Sequence, residues 1–367
     1  MLQIVPTKLI QFFLQLRCEF RVRPFVFDER TKRGFVPLRR MPPRKSCPPE
    51  IKSRIMLTVL RTYAKRATFT FGAGLLLLLA VLPSIAQDQP ARPPITGITY
   101  VRLWSTDLPK SVAFYRKILG LTPRDAGCAG LMRPCFIINE HQQIALAKAT
   151  SDPPANFLAE IAFATTDAAG MRRYLMAHNV AAVSTITRDI NGTAHFSLLD
   201  PEGHPIAFVQ APAHRQFSAP AEQVSTRLIH AGFVVKDMAA ENRFYLDLLG
   251  FRLYWHGGFK DNGLDWYEIQ VPDGDSWIEY MLNIPPGADH KELGVQNHFS
   301  LGVKDIHAAA DQLHKNGLQK FDGPEIGRDG KWGLDAYDPD GTRVEVMEFT
   351  PAKEPCCHPY TAPHPNQ

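Results

Sequence analysis

Two histidines and two glutamates in the C-terminal half of the chain occur at matched positions and could together bind a metal ion. His230 and His298 each lie seven residues before an aspartate, and Glu279 and Glu345 follow them by 49 and 47 residues inside apolar segments. Imidazole and carboxylate groups are ligands for zinc, nickel, manganese and ferrous iron. Any one of these residues alone would be read as a polar position on a strand, but four at matched offsets favour a shared divalent-metal site.

The segment that carries them is an internal duplication. The strand-like run at 228–237 returns at 296–305 with its histidine and its aspartate in register. A repeat of this size indicates one supersecondary unit used more than once, with its copies related by a pseudo-twofold axis. Side chains alternate between the two faces of a strand, so His230 and Glu345 converge if their faces look into the same cavity.

Four helices are predicted from a common pattern in which an aspartate precedes an apolar helical period and a glycine or asparagine ends it. The four pairs are Asp107 with Gly120, Asp167 with Asn179, Asp237 with Gly250, and Asp305 with Gly317. Each follows a strand-like run and is followed by further strands. Each helix is therefore predicted to cross over between the first and second strands of a β-α-β-β-β unit.

This order, repeated four times over residues 96–350, resembles the vicinal oxygen chelate superfamily, which contains glyoxalase I, extradiol dioxygenases, and bleomycin and fosfomycin resistance proteins. The resemblance implies an α+β fold with two modules. Each module would pair two βαβββ units into a curved, open, barrel-like sheet with the helices outside.

The predicted organisation has seven parts. They are a basic leader at 1–55, a signal peptide at 56–86, a linker at 87–94, a first module at 95–212, a second linker at 213–225, a second module at 226–350 and a disordered tail at 351–367.

The first module is predicted to have lost its site. Alignment of the modules on their helix-capping aspartates places Tyr100 at the position of His230, Glu160 at that of His298, and Ala207 at that of Glu345. We therefore expect a structural first module and a metal site in the second.

The four-residue set resembles glyoxalase I, in which two histidines and two glutamates hold the metal. Carried over, the metal would chelate a small carbonyl substrate as an enediolate, and Glu345 or Glu279 would move a proton between neighbouring carbons. The sequence leaves open which glutamate is the base. A glutathione adduct is disfavoured, since no basic cluster suits its carboxylates.

Two alternatives remain at this stage. An extradiol dioxygenase would bind ferrous iron through His230, His298 and Glu345, although residues 329–340 contain no histidine of the kind that family uses. A small-molecule binding or resistance protein would use the cavity without catalysis. A two-module chain is compatible with either a monomer or a homodimer.

Charge is distributed unevenly along the chain. Residues 1–55 hold 13 Lys/Arg against 4 Asp/Glu, and residues 56–86 add three basic residues and no acidic ones. The remaining residues hold 25 Lys/Arg against 33 Asp/Glu, a net charge of −8. The basic character therefore belongs to the leader, and the folded part shows no nucleic-acid footprint.

Residues 56–86 have the pattern of a secretory signal. Basic residues precede an apolar run from Phe69 to Leu82, and Ser84 to Ala86 form a small-x-small cleavage site. The run is shorter than the roughly 20 residues of a membrane span. We expect cleavage near Ala86, a periplasmic or secreted protein, and no stable span in the mature chain. The leader suggests an over-extended start, with translation beginning at Met56 or Met41.

The cysteines of the mature chain fall into two groups. Cys128 and Cys135 are seven residues apart in a turn-rich segment, and a local disulfide suits the oxidising compartment. Cys356 and Cys357 lie in the Pro-rich tail, which is predicted to be disordered.

Overall fold

The computed structural model describes residues 90–124, 134–150, 156–189, 191–212 and 217–365. The predicted leader, the predicted signal peptide and Cys128 lie outside the described residues, so those predictions and the pairing of Cys128 with Cys135 are not addressed by it.

The first module forms an eight-stranded mixed sheet, in the order β2-β3-β4-β1-β5-β8-β7-β6 within the described residues. Its strands are β1 (Ile95–Ser105), β2 (Thr122–Pro123), β3 (Cys135–Ile137), β4 (Gln143–Lys148), β5 (Leu158–Thr165), β6 (Thr187–Arg188), β7 (Ala194–Leu199) and β8 (Pro205–Gln210). The two first strands, β1 and β5, pair antiparallel at the centre, and each pairs in parallel with the last strand of its own unit. This arrangement is two βαβββ units joined side by side.

The second module repeats this topology in the order β10-β11-β12-β9-β13-β16-β15-β14. Its strands are β9 (Arg227–Val234), β10 (Arg252–Gly257), β11 (Trp266–Gln270), β12 (Trp277–Met281), β13 (His298–Val303), β14 (Asp322–Ile326), β15 (Trp332–Tyr337) and β16 (Arg343–Glu348). The paired repeat confirms the predicted fold class.

Each predicted crossover helix is present and begins at its predicted aspartate, whose side chain accepts hydrogen bonds from backbone N–H groups of the first turn. The helices are α1 (Leu108–Ala113), α2 (Ala168–Ala177), α3 (Met238–Asn242) and α5 (Ile306–Lys315), and a short α4 (His290–Gln296) precedes β13. Helices α1 and α3 continue as π-helical segments at Phe114–Ile118 and Arg243–Leu248. The sequence pattern did not predict that change, but it placed the helix ends.

The two modules share one hydrophobic core and exchange polar contacts at the closing turns. The Tyr115 hydroxyl of the first module donates to Asp338 of the second at 2.9 Å, and Tyr245 of the second donates to Asp200 of the first at 3.2 Å. The turn of each module is thus bonded to the helix of the other, which fixes the modules against each other.

The C-terminal tail differs from its prediction. We expected residues 351–367 to be disordered, yet the described part packs against the outer strands of the second module. The Trp255 indole donates to the His358 carbonyl at 3.0 Å, and the Tyr360 ring lies 4.8 Å from that of Tyr254. Proline-rich composition predicted disorder, but donors and aromatic rings on β10 satisfy the tail's backbone and bury its side chains.

Cys356 and Cys357 in this tail are bonded to each other as a disulfide. Among the described residues, no helix is both long and apolar enough to cross a membrane.

Candidate metal centre

Four adjacent central strands each contribute one of the predicted ligands. His230 lies on β9, Glu279 on β12, His298 on β13 and Glu345 on β16, and these strands are neighbours in the order β12-β9-β13-β16. Strands β9 and β13 run antiparallel, so their histidines approach from opposite directions, and the flanking parallel strands bring the glutamates alongside.

The structure brings all four side chains to one point. The Nε2 atoms of His230 and His298 are 3.1 Å apart. Glu345 Oε2 lies 3.0 Å from His230 Nε2 and 3.9 Å from His298 Nε2, and Glu279 Oε2 lies 3.8 and 3.3 Å from the same atoms. The convergence predicted from the duplication is therefore present in the fold.

These separations fit a small divalent ion. Metal–ligand bonds of 2.0–2.1 Å in a tetrahedral site place neighbouring ligand atoms about 3.3 Å apart. The observed spacings of 3.0–3.9 Å bracket that value. Two neutral imidazoles and two carboxylates form a donor set suited to such an ion, and all four residues would hold it.

The orientation of His298 is set by its surroundings. Its Nδ1 lies 3.0 Å from the Gln296 carbonyl, which fixes the proton on Nδ1 and leaves the Nε2 lone pair facing the site. The ring lies directly against Gly232, where a Cβ would stand 2.1 Å from His298 Cε1. Only glycine permits this close approach, so the residue on β9 is part of the site's construction.

Electrostatics keep both imidazoles neutral. Burial and the neighbouring Arg343 guanidinium lower the pKa of His298 to about 3, and burial lowers the pKa of His230. Burial raises the pKa of Glu279. Burial opposes ionisation of Glu345 as well, but His230 and Arg343 more than offset it and hold its pKa below the usual range.

Three charged residues that the sequence reading missed also face the site. Arg343 Nη2 donates to His298 Nε2 at 2.8 Å, and Nη1 lies 3.5 Å from Asp335. Lys331 is buried, and Glu268 is buried with its Oε2 lacking a hydrogen-bond partner among the described residues. The sequence could have indicated Arg343, because it lies two residues before Glu345 and therefore on the same face of the strand.

A cavity of about 460 Å³ is lined by three of the four ligands, His230, Glu279 and Glu345. Trp255, Trp266 and Phe259 line it as well. Lys331 lines it as well, with its ammonium 4.4 Å from the ring centre of Trp277 and 3.0 Å from the Tyr254 hydroxyl. The cavity therefore has an apolar wall around a polar floor, as small-molecule sites commonly do.

The corresponding place in the first module is closed by internal hydrogen bonds. The Tyr100 hydroxyl donates to Glu160 at 2.7 Å, and Ser197 donates to the other carboxylate oxygen at 2.9 Å. Arg102 lies 3.8 Å from the same carboxylate, and Ala207 is buried nearby. This geometry agrees with the predicted loss of ligands from the first module.

Comparison with known proteins identifies the family. The model of the Glyoxalase/Bleomycin resistance protein/Dioxygenase superfamily matches residues 97–208 and again 227–346, which together make up more than half of the chain. The chain belongs to this superfamily. The double match confirms the resemblance drawn from the repeat, and its two segments coincide with the two sheets.

Two relatives within the superfamily are lactoylglutathione lyases. The chain is 28% identical over 125 residues to lactoylglutathione lyase of Haemophilus influenzae, covering 33% of this chain and 92% of the relative. It is 26% identical to a probable chloroplastic lactoylglutathione lyase of Arabidopsis thaliana, covering 36% of this chain and 38% of that protein.

Among solved structures, homoprotocatechuate 2,3-dioxygenase from Brevibacterium fuscum in complex with 3,4-dihydroxyphenylacetate aligns with a TM-score of 0.52, 20% identity, and coverage of 70% of this chain and 82% of that one. The 2,3-dioxygenase LapB from Pseudomonas sp. KL28 aligns with a TM-score of 0.52 at 16% identity, covering 72% of this chain and 97% of that one. At these identities the likeness shows the shared fold.

Proposed function

We propose that the second module is a metal-dependent enzyme with glyoxalase-like lyase or isomerase chemistry. His230, Glu279, His298 and Glu345 would hold a divalent ion, and the substrate would be a small carbonyl compound with a second oxygen on the neighbouring carbon. The observation that supports this most directly is that both glutamates lie within 3.9 Å of both histidine Nε2 atoms, beside a cavity lined by His230, Glu279 and Glu345.

The bound ion would act as a Lewis acid on the two adjacent substrate oxygens. One glutamate, Glu345 or Glu279, would then accept the proton from the carbon beside the carbonyl and return it to the neighbouring carbon. His230 and His298 would remain as fixed ligands, because their neutral rings are held by packing. The aromatic wall would limit access of water to the reacting carbons.

The fourth donor favours this reading over ring cleavage by a dioxygenase. A 2-His-1-carboxylate site leaves open positions for oxygen and substrate. Here Glu279 Oε2 lies 3.3 Å from His298 Nε2 and completes a four-ligand set. The dioxygenase alternative is supported by fold alone, since the two solved dioxygenases described above are 20% and 16% identical to this chain.

Metal analysis of the purified chain tests the proposal. We expect about one equivalent of zinc, nickel or manganese, lost in His298→Ala and retained in the control His141→Ala, whose side chain is exposed in the first module. Stoichiometric iron, together with oxygen consumption when catechols are added, would contradict the proposal and identify the chain as an extradiol dioxygenase. Absence of stoichiometric metal would favour a binding protein.

Exchange of carbon-bound protons with deuterated water measures the proposed proton transfer separately from metal binding. In deuterated water the loaded enzyme should exchange the carbon-bound protons of hydroxyacetone, as followed by proton NMR. Glu345→Gln and Glu279→Gln should separate the roles: the base variant should lose exchange by a factor of about 100 or more while retaining metal. Exchange that persists in both variants would exclude a glutamate as the base.

We also propose that the mature protein is exported. The support is the signal-like pattern of residues 56–86. N-terminal sequencing of the protein recovered outside the cytoplasm should begin near residue 87, and a mature chain that retains residues before Met56 would contradict both the export route and the assigned start.

A further inference from the structure

The entrance of the cavity carries more negative than positive charge. Beyond Glu279 and Glu345, six acidic and three basic side chains line it. The acidic ones are Asp265, Glu268, Asp322, Glu325, Asp329 and Asp335, and the basic ones are Arg328, Lys331 and Arg343. With the four ligands neutralised by a divalent ion, the formal balance of the lining remains negative.

Each of the three cations already has contacts with other groups. Arg328 Nη2 lies 2.6 Å from Asp261, and Arg343 is engaged by Asp335 and by a ligand histidine. Lys331 is 1% exposed. An anionic group entering the cavity would therefore compete with these existing partners.

Two rim carboxylates have no cationic partner within 4.0 Å in the part of the chain that the structure describes. Asp322 and Glu325 lie on the exposed edge strand β14. Asp322 accepts a hydrogen bond from the Tyr337 hydroxyl at 3.1 Å, which leaves its charge uncompensated. For Glu325 the described residues provide no ion pair within 4.0 Å. Charges in a cleft with low-dielectric walls focus the field and select ligands by sign.

The same entrance exposes a large apolar side chain. Phe259 is 74% exposed, and its ring centre lies 4.6 Å from that of Trp266, which also lines the cavity. Exposed aromatic surface beside a pocket is a place where an apolar ligand group gains contact. Aromatic faces also attract cations, which reinforces the effect of the carboxylates.

We propose that this site takes substrates that combine an aromatic or apolar group with a positive charge, and that Asp322, Glu325 and Phe259 determine this specificity. The inference rests on the proposed function, since it names the substrate class of the same site. It excludes thiol adducts of glutathione, because their two carboxylates outnumber their one ammonium group and would meet the acidic rim.

Isothermal titration with three catechols tests the inference on the full chain loaded with zinc. Dopamine, 4-methylcatechol and 3,4-dihydroxyphenylacetate offer the same two adjacent oxygens but carry positive, zero and negative charge. We expect dopamine to bind about tenfold more tightly than 3,4-dihydroxyphenylacetate in 50 mM salt, with the neutral compound between them. The difference should shrink in 500 mM salt, because exposed charges are screened.

Variants test whether the charge preference comes from the rim carboxylates Asp322 and Glu325. The double variant Asp322→Asn/Glu325→Gln should remove most of the charge preference, whereas Asp311→Asn, an exposed site on α5, should preserve it. Phe259→Ala should weaken all three ligands, and dopamine the most, because it removes both apolar contact and the cation–π attraction. Equal affinity for the three compounds, preference for the carboxylate, or failure of all three to bind would overturn the inference.

Failure of the proposed function gives a different result. If chelation is absent, His298→Ala leaves the affinity for 4-methylcatechol unchanged, whatever the order of the three charges. If His298→Ala does weaken 4-methylcatechol but the three compounds do not bind in the expected order of charge, the proposed metal site is supported and the inferred substrate class is wrong.

Discussion

Replacement of Arg343 by methionine should tighten metal binding. The guanidinium is 13% exposed and donates from Nη2 to His298 Nε2 at 2.8 Å. The Gln296 carbonyl binds the Nδ1 side of this imidazole, so Nε2 offers its only free lone pair. A metal and the guanidinium therefore compete for the same atom, and the ion must displace the arginine before it can bind.

The size of the effect follows from the bond that must be broken. A hydrogen bond to a charged group contributes about 1.5–3 kcal/mol. A tenfold change in affinity corresponds to about 1.4 kcal/mol. Removal of the competing donor should therefore tighten zinc binding by about 10-fold to 100-fold. Loss of a neighbouring positive charge acts in the same direction, because it repels the ion.

Competition with a chromophoric chelator measures this affinity directly. Arg328→Met is the matched control, since that arginine lines the same cavity but binds Asp261. Thermal unfolding of both variants establishes that each is folded at the assay temperature. If folded Arg343→Met binds zinc with unchanged or weaker affinity, the guanidinium does not block His298 Nε2, and the proposed competition is wrong.

Substitutions at three further positions probe the fold. Burial and the Asp200 carboxylate raise the pKa of Glu241 to about 8. Above about pH 4.5 the folded chain therefore keeps a proton that the unfolded chain releases. The free energy of unfolding consequently falls as the pH rises toward 8. Glu241→Gln should therefore stabilise the protein at pH 7 by about 3 kcal/mol but hardly at pH 4.5, as urea unfolding can measure; the exposed Asp247→Asn should show no such trend, and a pH-independent gain would contradict the assignment. Tyr360→Ala should cost about 2–3 kcal/mol in the same assay and Tyr360→Phe about 1 kcal/mol, whereas a disordered tail would give no loss in either. Gly232→Ala should weaken zinc binding at least tenfold in the chelator assay, because its Cβ would displace the His298 ring; unchanged affinity would contradict the close-approach argument.

Much of the fold could be predicted from local signals that repeat. Each capping aspartate uses only its own first turn, so Asp237 and Asp305 reveal helix starts without any knowledge of the tertiary structure. The ligands were found for a similar reason: His230 and His298 keep their place relative to those caps, and the period of two then assigns their faces.

The missed features depend on contacts between distant segments. Lys331 is read from sequence as an ordinary surface lysine, and its burial follows only once Tyr254 and Tyr360 close around it. The tail has few apolar residues, so its composition could not indicate that β10 and β11 offer it partners. The role of Gly232 is likewise invisible until β9 and β13 are paired, because its neighbour across the strands is 66 residues away.

The contrast between the modules explains why the duplication left one apparent site. In the first module Tyr100 and Glu160 satisfy each other at 2.7 Å, so the buried carboxylate already has its donor and needs no ion. In the second module the Nε2 atoms of His230 and His298 lie 3.1 Å apart, and each glutamate approaches both of them within 3.9 Å. Such an arrangement is costly unless a cation joins it, since unpaired buried polar groups are expensive. Identical backbone positions therefore give a closed structural pair in one module and an open ligand set in the other, and the difference lies in which side chains can satisfy one another.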